Sequence, residues 1–520
     1  MSTPVYIGID VGTSETKGVA TGSDGSVLAF ASCAHRVRTP APGHVEHDPE
    51  EDWWEGFVAV LGELLGNPEV DASQVVALCC SGIGPCVLPV DEQGIPLRPA
   101  ILYGVDTRAW REVEELTQRF GADAVRQRCG NDLTAQSAGP KIAWLARHEP
   151  DVHAKARWFL TCQSFLVLRL TGRAVVDHAT AAYFHPFYRL TEHRWDVSGC
   201  GDLVHLAQLP ELAWSGEPAG TLLPQVAATF GLPSNVVVAV GTADAVADAV
   251  ASGVHGSDDL MCMYGSSGFF IAPTQQPRPA TGLYCAPGVE PGHWILAGGT
   301  STAGAFVRWA TELLGITDAQ GNPDWVQLEE LAAQADVGSG GVTVLPHLAG
   351  ERTPFEDPNA RGVIAGLALD HDRSHVARAA IEGVATSMAL GILAVLEAAE
   401  GCSPSNERSA PRAVTAVGGG TQSLIWLQTV SDLTGLMQRT IAPGVGAAFG
   451  GAMLAAAAHG SVGLDVSRDW VRPALILRPD PDRAAVLRPG LEGQREIYAA
   501  MRAVREHRAY STADTKEVVS

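Results

Sequence analysis

The sequence predicts an α/β protein of two domains, and three features indicate this. The chain has 520 residues, which is more than one ordinary hydrophobic core accommodates. Apolar, β-prone runs alternate with segments of helical spacing along most of its length. A strand, glycine turn and strand near the amino terminus recur in outline around residue 260. Together these features favour two large domains with a cleft between them.

The first half of the chain mixes strands and helices. Residues 5–10 form an apolar strand, the Gly12-Thr13-Ser14 stretch interrupts it, and residues 16–21 resume it. A turn at Ser23-Asp24-Gly25 leads to a third strand at 27–34, so a small antiparallel meander is predicted. Further strands are predicted at 75–80, 100–102 and 236–240, and helices at 50–65, 108–120, 139–148, 161–170 and 244–251.

The second half begins with a pattern that resembles the first. Residues 259–264 are apolar, Gly265-Ser266-Ser267-Gly268 breaks the run, and residues 269–272 resume it. Strong helices are predicted at 374–399, 423–434 and 447–459. We therefore divide the chain into residues 1–253, residues 254–490, and a terminal helix with a polar tail at 491–520.

Composition and charge exclude several classes of protein. Hydrophobic residues make up 46% of the chain and charged residues 18%, which is typical of a compact globule. The formal net charge of −22 disfavours binding to nucleic acid or anionic lipid. The ten cysteines form no CxxC pair and no zinc-type spacing, so reduced thiols are expected. The sequence MSTPVYIGID lacks the features of a secretion signal, so we expect a cytoplasmic protein.

The first glycine turn has the chemistry of a phosphate site. Asp10 ends a strand, and the backbone N–H groups of Gly12, Thr13 and Ser14 can point at an anion. Lys17 adds a positive charge, and the carboxylate can hold Mg²⁺ through water. An ordinary hairpin with a polar turn explains the same residues equally well.

Two other glycine turns and one aspartate are further candidates. The turns at 265–268 and 418–420, taken singly, favour a structural role, since glycine mostly serves backbone conformation. Asp244 begins a predicted helix, where a helix N-cap or a first-turn charge, stabilising by about 1 kcal/mol, is the simplest explanation.

The chain as a whole resembles the FGGY carbohydrate kinases from about Tyr6 to about Gly460. The resemblance implies two ribonuclease-H-like domains of the actin and hexokinase type around a central cleft. Residues 1–253 would then bind sugar and carry the first phosphate loop, and residues 254–490 would bind nucleotide. The motifs that carry the resemblance are IGIDVGTSETKG, HVEHDPEEDWW, RPAILYGVDTRA, VGTADAVADA, YGSSGFF, LPHLAGERTPFEDPNARG, GVIAGLALDHDRSHVARAAIE and GGGTQSLIWLQTVSD.

The same resemblance implies roles for individual residues. Asp244 matches the catalytic base, and Asp10 matches the residue that assists Mg²⁺ through water. Phosphoryl transfer needs such a carboxylate within reach of the attacking hydroxyl, together with charge neutralisation. The positions that match ATP contacts are Gly12, Thr13, Ser14, Lys17, Ser266, Gly304, Arg308, Gly419 and Ser423.

The predicted sugar pocket departs from the family pattern. Xylulokinase-like members usually carry Gln-Met-His-Gly where this chain has Ile83-Gly84-Pro85-Cys86. The usual Trp-Asn-Asp-x-Arg becomes YGVDTR, with one residue inserted before Asp106. The substrate-binding candidates are therefore Gly84, Pro85, Asp106 and Asp244, and a capped helix start is the alternative role for Asp106.

The function expected from the resemblance is an ATP- and Mg²⁺-dependent kinase of a ketopentose such as D-xylulose. A first alternative keeps the chemistry and changes the acceptor to ribulose, a tetritol, a hexulose or a cyclitol. A second is a non-catalytic, actin-like ATP switch, against which the retained Asp244 argues. The expected partner is a small sugar or polyol, with no nucleic acid and no membrane, and a homodimer is left open.

Overall fold

The computed structural model describes residues 3–255, 259–400, 413–441 and 446–517 of the chain. Cys402 and the last three residues of the predicted tail lie outside these ranges. The chain forms two compact units that interleave in sequence. Unit 1 comprises Met1–Ser257, Pro273–Leu296 and Ala442–Arg472, and unit 2 comprises Asp258–Ala272, Ala297–Ile441 and Pro473–Ser520.

The secondary structure mixes strands and helices throughout. The strands are β1 (Val5–Val11), β2 (Glu15–Thr21), β3 (Val27–Ala34), β4 (Glu46–His47), β5 (Val75–Gly82), β6 (Leu88–Val90), β7 (Ala100–Ile101), β8 (Trp158–Leu160), β9 (Val175–Asp177), β10 (Tyr188–Arg189), β11 (Arg194–Trp195), β12 (Glu211–Ala213), β13 (Pro218–Thr221), β14 (Val237–Ala239), β15 (Thr242–Ala243), β16 (Leu260–Tyr264), β17 (Gly268–Thr274), β18 (Tyr284–Pro287), β19 (Trp294–Thr300), β20 (Thr343–Leu345), β21 (Val363–Ala365), β22 (Ala413–Val417), β23 (Met437–Ile441) and β24 (Pro473–Leu477). The helices are α1 (Glu55–Gly66), α2 (Trp110–Phe120), α3 (Ala122–Cys129), α4 (Ala138–His148), α5 (Pro150–Lys155), α6 (Cys162–Thr171), α7 (His178–Ala181), α8 (Pro224–Phe230), α9 (Asp244–Ala251), α10 (Gly304–Leu313), α11 (Trp325–Ala332), α12 (Arg373–Glu400), α13 (Leu424–Thr434), α14 (Ala447–His459), α15 (Leu464–Ser467) and α16 (Pro481–Glu517).

Unit 1 is built on a mixed sheet with the strand order β13-β14-β5-β1-β2-β3. β1 pairs antiparallel with β2 and parallel with β5, and β15 pairs parallel with the end of β5. The predicted meander at the amino terminus is confirmed. Because β1, β5 and β15 run in the same direction, their carboxyl ends meet at one edge of the sheet, where ligands of open α/β sheets bind.

Helices cover both faces of this sheet at close range. A Cβ atom at Gly8 would lie 1.8 Å from the carbonyl oxygen of Ala448 in α14, so the strand and the helix touch backbone to backbone. A Cβ atom at Gly18 would lie 2.4 Å from Val60 in α1. Gly18 pairs with Ile9 and therefore faces the side opposite to Gly8. Consequently α1 and α14 pack on opposite faces of the sheet.

Unit 2 repeats the pairing pattern of unit 1. Its sheet contains the strand order β19-β17-β16-β22-β23-β24. β16 pairs antiparallel with β17 across the second glycine turn and parallel with β22, as β1 does with β2 and β5. The predicted structural duplication is therefore confirmed.

The longest well-buried helix of unit 2 is α12. By length and composition alone it could cross a membrane, but 83% of its apolar 18-residue window is buried inside the protein. Its apolar surface is thus covered by protein, as in the core helix of a globular domain. Arg378 and Glu382, which are one turn apart in this helix, form a buried ion pair with a distance of 2.7 Å between Nε and Oε1.

The contact between β1 and α14 gives the first testable prediction. We expect Gly8→Ala to destabilise the protein by about 3 kcal/mol, because the new methyl group must displace helix backbone. Gly62→Ala in α1 is the matched control, since a Cβ atom there meets nothing within 4 Å. The control should be neutral or stabilising by about 0.5–1 kcal/mol. Urea unfolding followed by circular dichroism measures both, and equal effects would contradict the assigned contact.

Candidate active site

Two carboxylates lie at the strand edge of unit 1. Asp10 is in β1 and pairs in register with Ser81 of β5, whose hydroxyl donates a hydrogen bond to Asp10 Oδ1 at 2.7 Å. Asp244 follows β15 directly and is the first residue of α9. The parallel register therefore brings together two residues that are separated by more than 230 positions in the sequence.

The side chain of Asp244 is half-buried, and one of its oxygens is engaged locally. The N–H group of Ala245 donates to Asp244 Oδ1 at 2.7 Å. Oδ2 has no hydrogen-bond partner among the residues that the structure describes. The residue at the N-cap position is Ala243, and it makes no side-chain cap. Asp244 is therefore not the helix N-cap, but it is the acidic residue of the first turn, which was the other structural role predicted for it.

Burial is the main cause of the raised pKa values of both carboxyl groups. Burial raises the pKa of Asp244 to about 7, with a further contribution from the charge of Asp10. Burial also raises the pKa of Asp10 to about 6, although the hydrogen bond from Ser81 and the charge of Lys17 oppose this. Perturbed carboxylates in a polar cluster are typical of functional sites.

A third carboxylate, Asp248, was not found from the sequence. It lies one helical turn after Asp244 in α9, and burial together with the charges of Asp10 and Asp244 holds its pKa well above the usual range. The backbone N–H of Ala447, at the start of α14, acts in the opposite direction. The spacing of four residues on one predicted helix was the available signal, since residues i and i+4 share a face.

The turn between β1 and β2 holds the predicted phosphate contacts. The N–H group of Gly12 donates to the carbonyl of Glu15 at 2.9 Å and closes the turn that contains Thr13 and Ser14. The Nζ atom of Lys17 lies 2.7 Å from Glu15, with both side chains nearly half exposed. Because exposed ion pairs are worth only about 0–1 kcal/mol, Lys17 can exchange this partner for a phosphate at little cost.

The wall beside Asp244 consists of small residues. Gly84 and Pro85 follow the end of β5, and a Cβ atom at Gly84 would lie 2.9 Å from the Cβ of Ala243. The next residue, Cys86, is fully buried, and burial raises the pKa of its thiol above the usual range. The predicted candidates Gly84 and Pro85 therefore lie beside the start of α9, where they offer backbone and ring atoms.

Asp106 is placed in a buried ion-pair network. Its carboxylate accepts hydrogen bonds from Arg108 Nε and Nη2, the latter at 2.7 Å, and from the N–H of Val45 at 2.6 Å. Arg108 also contacts Glu46 at 2.8 Å. Burial lowers the pKa of nearby Lys141 to about 8, and the charge of Asp106 opposes this. Both oxygens of Asp106 are thus engaged by the protein itself.

Unit 2 brings Ser266 and Gly304 together. The carbonyl of Ser266 accepts hydrogen bonds from the N–H groups of Ala303 at 2.9 Å and Ala305 at 3.0 Å. A Cβ atom at Gly304 would lie 2.7 Å from the carbonyl oxygen of Gly265, so only glycine allows this approach. The second glycine turn therefore packs directly against the start of α10, and Arg308 is exposed one turn further along that helix.

The third glycine turn leads into α13, whose N-cap is Ser423. The hydroxyl of Ser423 donates to Glu329 Oε2 at 2.8 Å, and the N–H of Ile425 donates to Glu329 Oε1 at 2.9 Å. Gly419, in the turn itself, is open to solvent on its Cβ side. A carboxylate from α11 thus binds at the start of α13, which the sequence did not indicate.

The residues at the strand edge of unit 1 fit a magnesium ion. No group of three or more His, Cys, Asp or Glu side chains has the arrangement of a direct metal site within residues 3–255, 259–400, 413–441 and 446–517. Mg²⁺ is usually held by one or two carboxylates, with waters and substrate phosphates as its other ligands. The raised pKa values of Asp10 and Asp244 reflect the cost of burying negative charge, and a cation would lower that cost.

Comparison with known proteins identifies the family. The N-terminal domain model of the FGGY family of carbohydrate kinases matches residues 5–251, and the C-terminal domain model matches residues 260–459. The chain belongs to the FGGY family of carbohydrate kinases. It is therefore a sugar phosphotransferase, and the expected fold class with two ribonuclease-H-like domains is confirmed.

Individual FGGY relatives span nearly the whole chain. The xylulose kinase of Escherichia coli K12 is 32% identical over 505 residues, which cover 95% of this chain and 98% of the relative. The solved xylulose kinase of Rhodospirillum rubrum is 29% identical, with a TM-score of 0.87 over 96% of this chain and 99% of the other. The gluconokinase of Bacillus subtilis is 24% identical over 83% of each chain.

The ion-pair network around Asp106 gives the second prediction. Arg108→Met should destabilise this kinase by about 3–5 kcal/mol, because it leaves the buried carboxylate of Asp106 without its ion-pair partner, whereas Glu46 keeps its pair with Arg98. Arg119→Met is the matched control, since its pair with Asp202 is largely exposed and worth less than about 1 kcal/mol. Chemical unfolding of both variants measures the difference. A loss of less than about 1 kcal/mol for Arg108→Met would contradict the network.

Proposed function

We propose that this protein is a cytoplasmic, ATP-dependent kinase that transfers the γ-phosphate to a hydroxyl group of a ketopentose such as D-xylulose. The observation that carries the proposal is the position of Asp244, which directly follows the parallel strand β15 at the sheet edge that also carries Asp10, and which keeps one carboxylate oxygen open. The xylulose kinases among its relatives support the choice of a ketopentose.

In the proposed mechanism Asp244 is the general base. Its Oδ2 atom accepts the proton of the sugar hydroxyl as the hydroxyl oxygen bonds to the γ-phosphorus and the bond to the β-phosphate oxygen breaks. A pKa of about 7 suits this role, because proton transfer is most effective when the pKa of the base lies near the operating pH. The hydrogen bond from Ala245 to Oδ1 fixes the orientation of the carboxylate.

The remaining residues position and neutralise the nucleotide. The backbone N–H groups of the Gly12-Thr13-Ser14 turn, together with Lys17, would bind its phosphates. Mg²⁺, when bound, supplies further neutralisation of the phosphate charge, and Asp10 would hold it through water. We also propose that Ser266, Gly304, Arg308, Gly419 and Ser423 contact the nucleotide, and that Gly84, Pro85 and Asp106 shape the sugar site.

The departures of the sugar pocket from the family pattern support a second candidate class of substrate. Gly84 and Pro85 offer no side-chain donor, and Asp106 is already bound by Arg108. Gluconokinase and glycerol kinase are also among the relatives. Ribulose, a tetritol, a hexulose or a cyclitol is therefore the alternative acceptor. A non-catalytic ATP switch is less well supported, because it gives Asp244 no task.

Replacing the proposed base tests the mechanism. Asp244→Asn should lower sugar-dependent ADP release by about 10²–10⁴-fold, because the amide cannot accept the proton. The assay uses magnesium-ATP with a panel of pentuloses, hexuloses, tetritols and cyclitols, which also identifies the substrate class. Asp123→Asn is the matched control, since the side chain of Asp123 is 86% exposed.

The outcomes separate the candidates. The proposal is supported if one pentulose stimulates ADP release, and if Asp244→Asn abolishes this stimulation while Asp123→Asn preserves it. Turnover of another polyol alone would replace the ketopentose with that class. ADP release that needs no sugar and survives Asp244→Asn would instead favour the ATP switch.

A further inference from the structure

A buried pair of rings lies behind the turn that we propose binds phosphate. The indole Nε1–H of Trp53 donates a hydrogen bond to Nδ1 of His47 at 3.0 Å, and both side chains are 0% exposed. Because Nδ1 accepts this bond, the proton of the neutral imidazole is on Nε2. Trp53 therefore selects one tautomer of His47.

The second ring nitrogen of His47, Nε2, has no hydrogen-bond partner within the described part of the chain, and the ring lies near the backbone of Thr13 in the turn. Burial, followed by the charge of His35, lowers the pKa of His47 to about 4, so the ring is neutral at physiological pH. The backbone of Thr13 acts in the opposite direction and raises the pKa of His47, but its effect is smaller than that of burial. No residue in the described ranges forms a hydrogen bond of normal geometry with Nε2. A buried N–H group without an acceptor lowers the stability of the folded protein. The backbone of Thr13 lies near the ring, and we infer that its carbonyl is the acceptor.

A second histidine, His35, forms a hydrogen bond with the peptide group that follows Ser14 in the turn. The ring of His35 contacts the ring of His47 edge-on, with centroids 5.0 Å apart. The backbone N–H of His35 donates to the carbonyl of Ser14 at 2.9 Å. In a trans peptide the C=O and N–H groups point in opposite directions. Holding the carbonyls of Thr13 and Ser14 toward these histidines therefore turns the N–H groups of Ser14 and Glu15 the other way.

The segment that carries Trp53 is itself fixed in place. Residues Pro49–Trp54 form a π-helix, a rare conformation that is frequent at functional sites. The side chain of Asp48 caps it by accepting from the N–H groups of Glu50 and Glu51. Asp52 Oδ2 in turn accepts from the N–H of Asp48 at 2.7 Å. The indole of Trp53 is thereby held against His47.

We propose that Trp53 and His47 are positioning residues for the nucleotide phosphates. Trp53 fixes the tautomer of His47, and the Nε2–H of His47 holds the Thr13 carbonyl so that the following N–H groups face the phosphate. Neither residue contacts substrate. The inference rests on the proposed role of the Gly12-Thr13-Ser14 turn in binding ATP.

The test removes the indole N–H and keeps the aromatic ring. Trp53→Phe should raise the KM and Kd for ATP about tenfold, the size expected for the loss of one hydrogen bond, with the KM for sugar unchanged within about twofold. Trp54→Phe is the matched control, because Trp54 stacks on Phe57 and beneath Arg169 and does not contact His47. Imidazole ¹⁵N shifts should show the Nε2–H tautomer of His47 in the wild type and a mixture in Trp53→Phe.

Two variants of His47 test the inference independently, in case Trp53→Phe does not fold. His47→Gln keeps one N–H donor and His47→Leu keeps none, so the Kd for ATP should rise in the order wild type, Gln, Leu. Equal KM values for ATP in Trp53→Phe and Trp54→Phe, with only the melting temperature lowered, would overturn the inference and leave the proposed function intact. If the wild type itself binds no magnesium-ATP, the proposed function fails instead.

Discussion

The parallel pairing of β1, β5 and β15 is the constraint on which the site depends. This register places Asp10 beside Ser81 and delivers Asp244 at the same edge of the sheet. Both carboxylates are buried, which raises both pKa values, and the charge of Asp10 raises that of Asp244 further. A site that buries two carboxylates favours the binding of cations and protons, and phosphoryl transfer from a polyanionic donor requires both.

The strand edge is kept in place by backbone contacts that tolerate no side chain. Gly8 in β1 abuts Ala448, and Gly450 in the same helix approaches Ala247 of α9 with a potential Cβ contact of 1.9 Å. One helix, α14, therefore touches both the strand that carries Asp10 and the helix that begins with Asp244. Since neither approach leaves room for a side chain, α14 holds the backbones of β1 and α9 at close packing distance.

Sequence reasoning found the elements whose signals are local. The turn after Asp10, the helix that begins at Asp244 and the duplicated strand pairing each have a short apolar or glycine pattern, and the family motifs place them in order. It missed features that depend on distant partners. Nothing near Ser423 in the sequence indicates that Glu329, 94 positions away, binds its hydroxyl. Asp248 is the exception, because its spacing from Asp244 was visible and was not used.

The treatment of Trp53 and Asp106 shows why residue type alone does not assign a role. Trp53 is completely buried, as aromatic core residues are, but the polar edge of its ring also determines the tautomer of His47. Asp106 was expected to bind sugar, yet Arg108 and Val45 bind its oxygens. Since Glu46 and His47 are adjacent in β4, and Glu46 pairs with Arg108, the same two-residue strand takes part in both polar networks. The segment from 46 to 54 therefore links the turn that we propose binds phosphate to the proposed sugar site through buried contacts within unit 1.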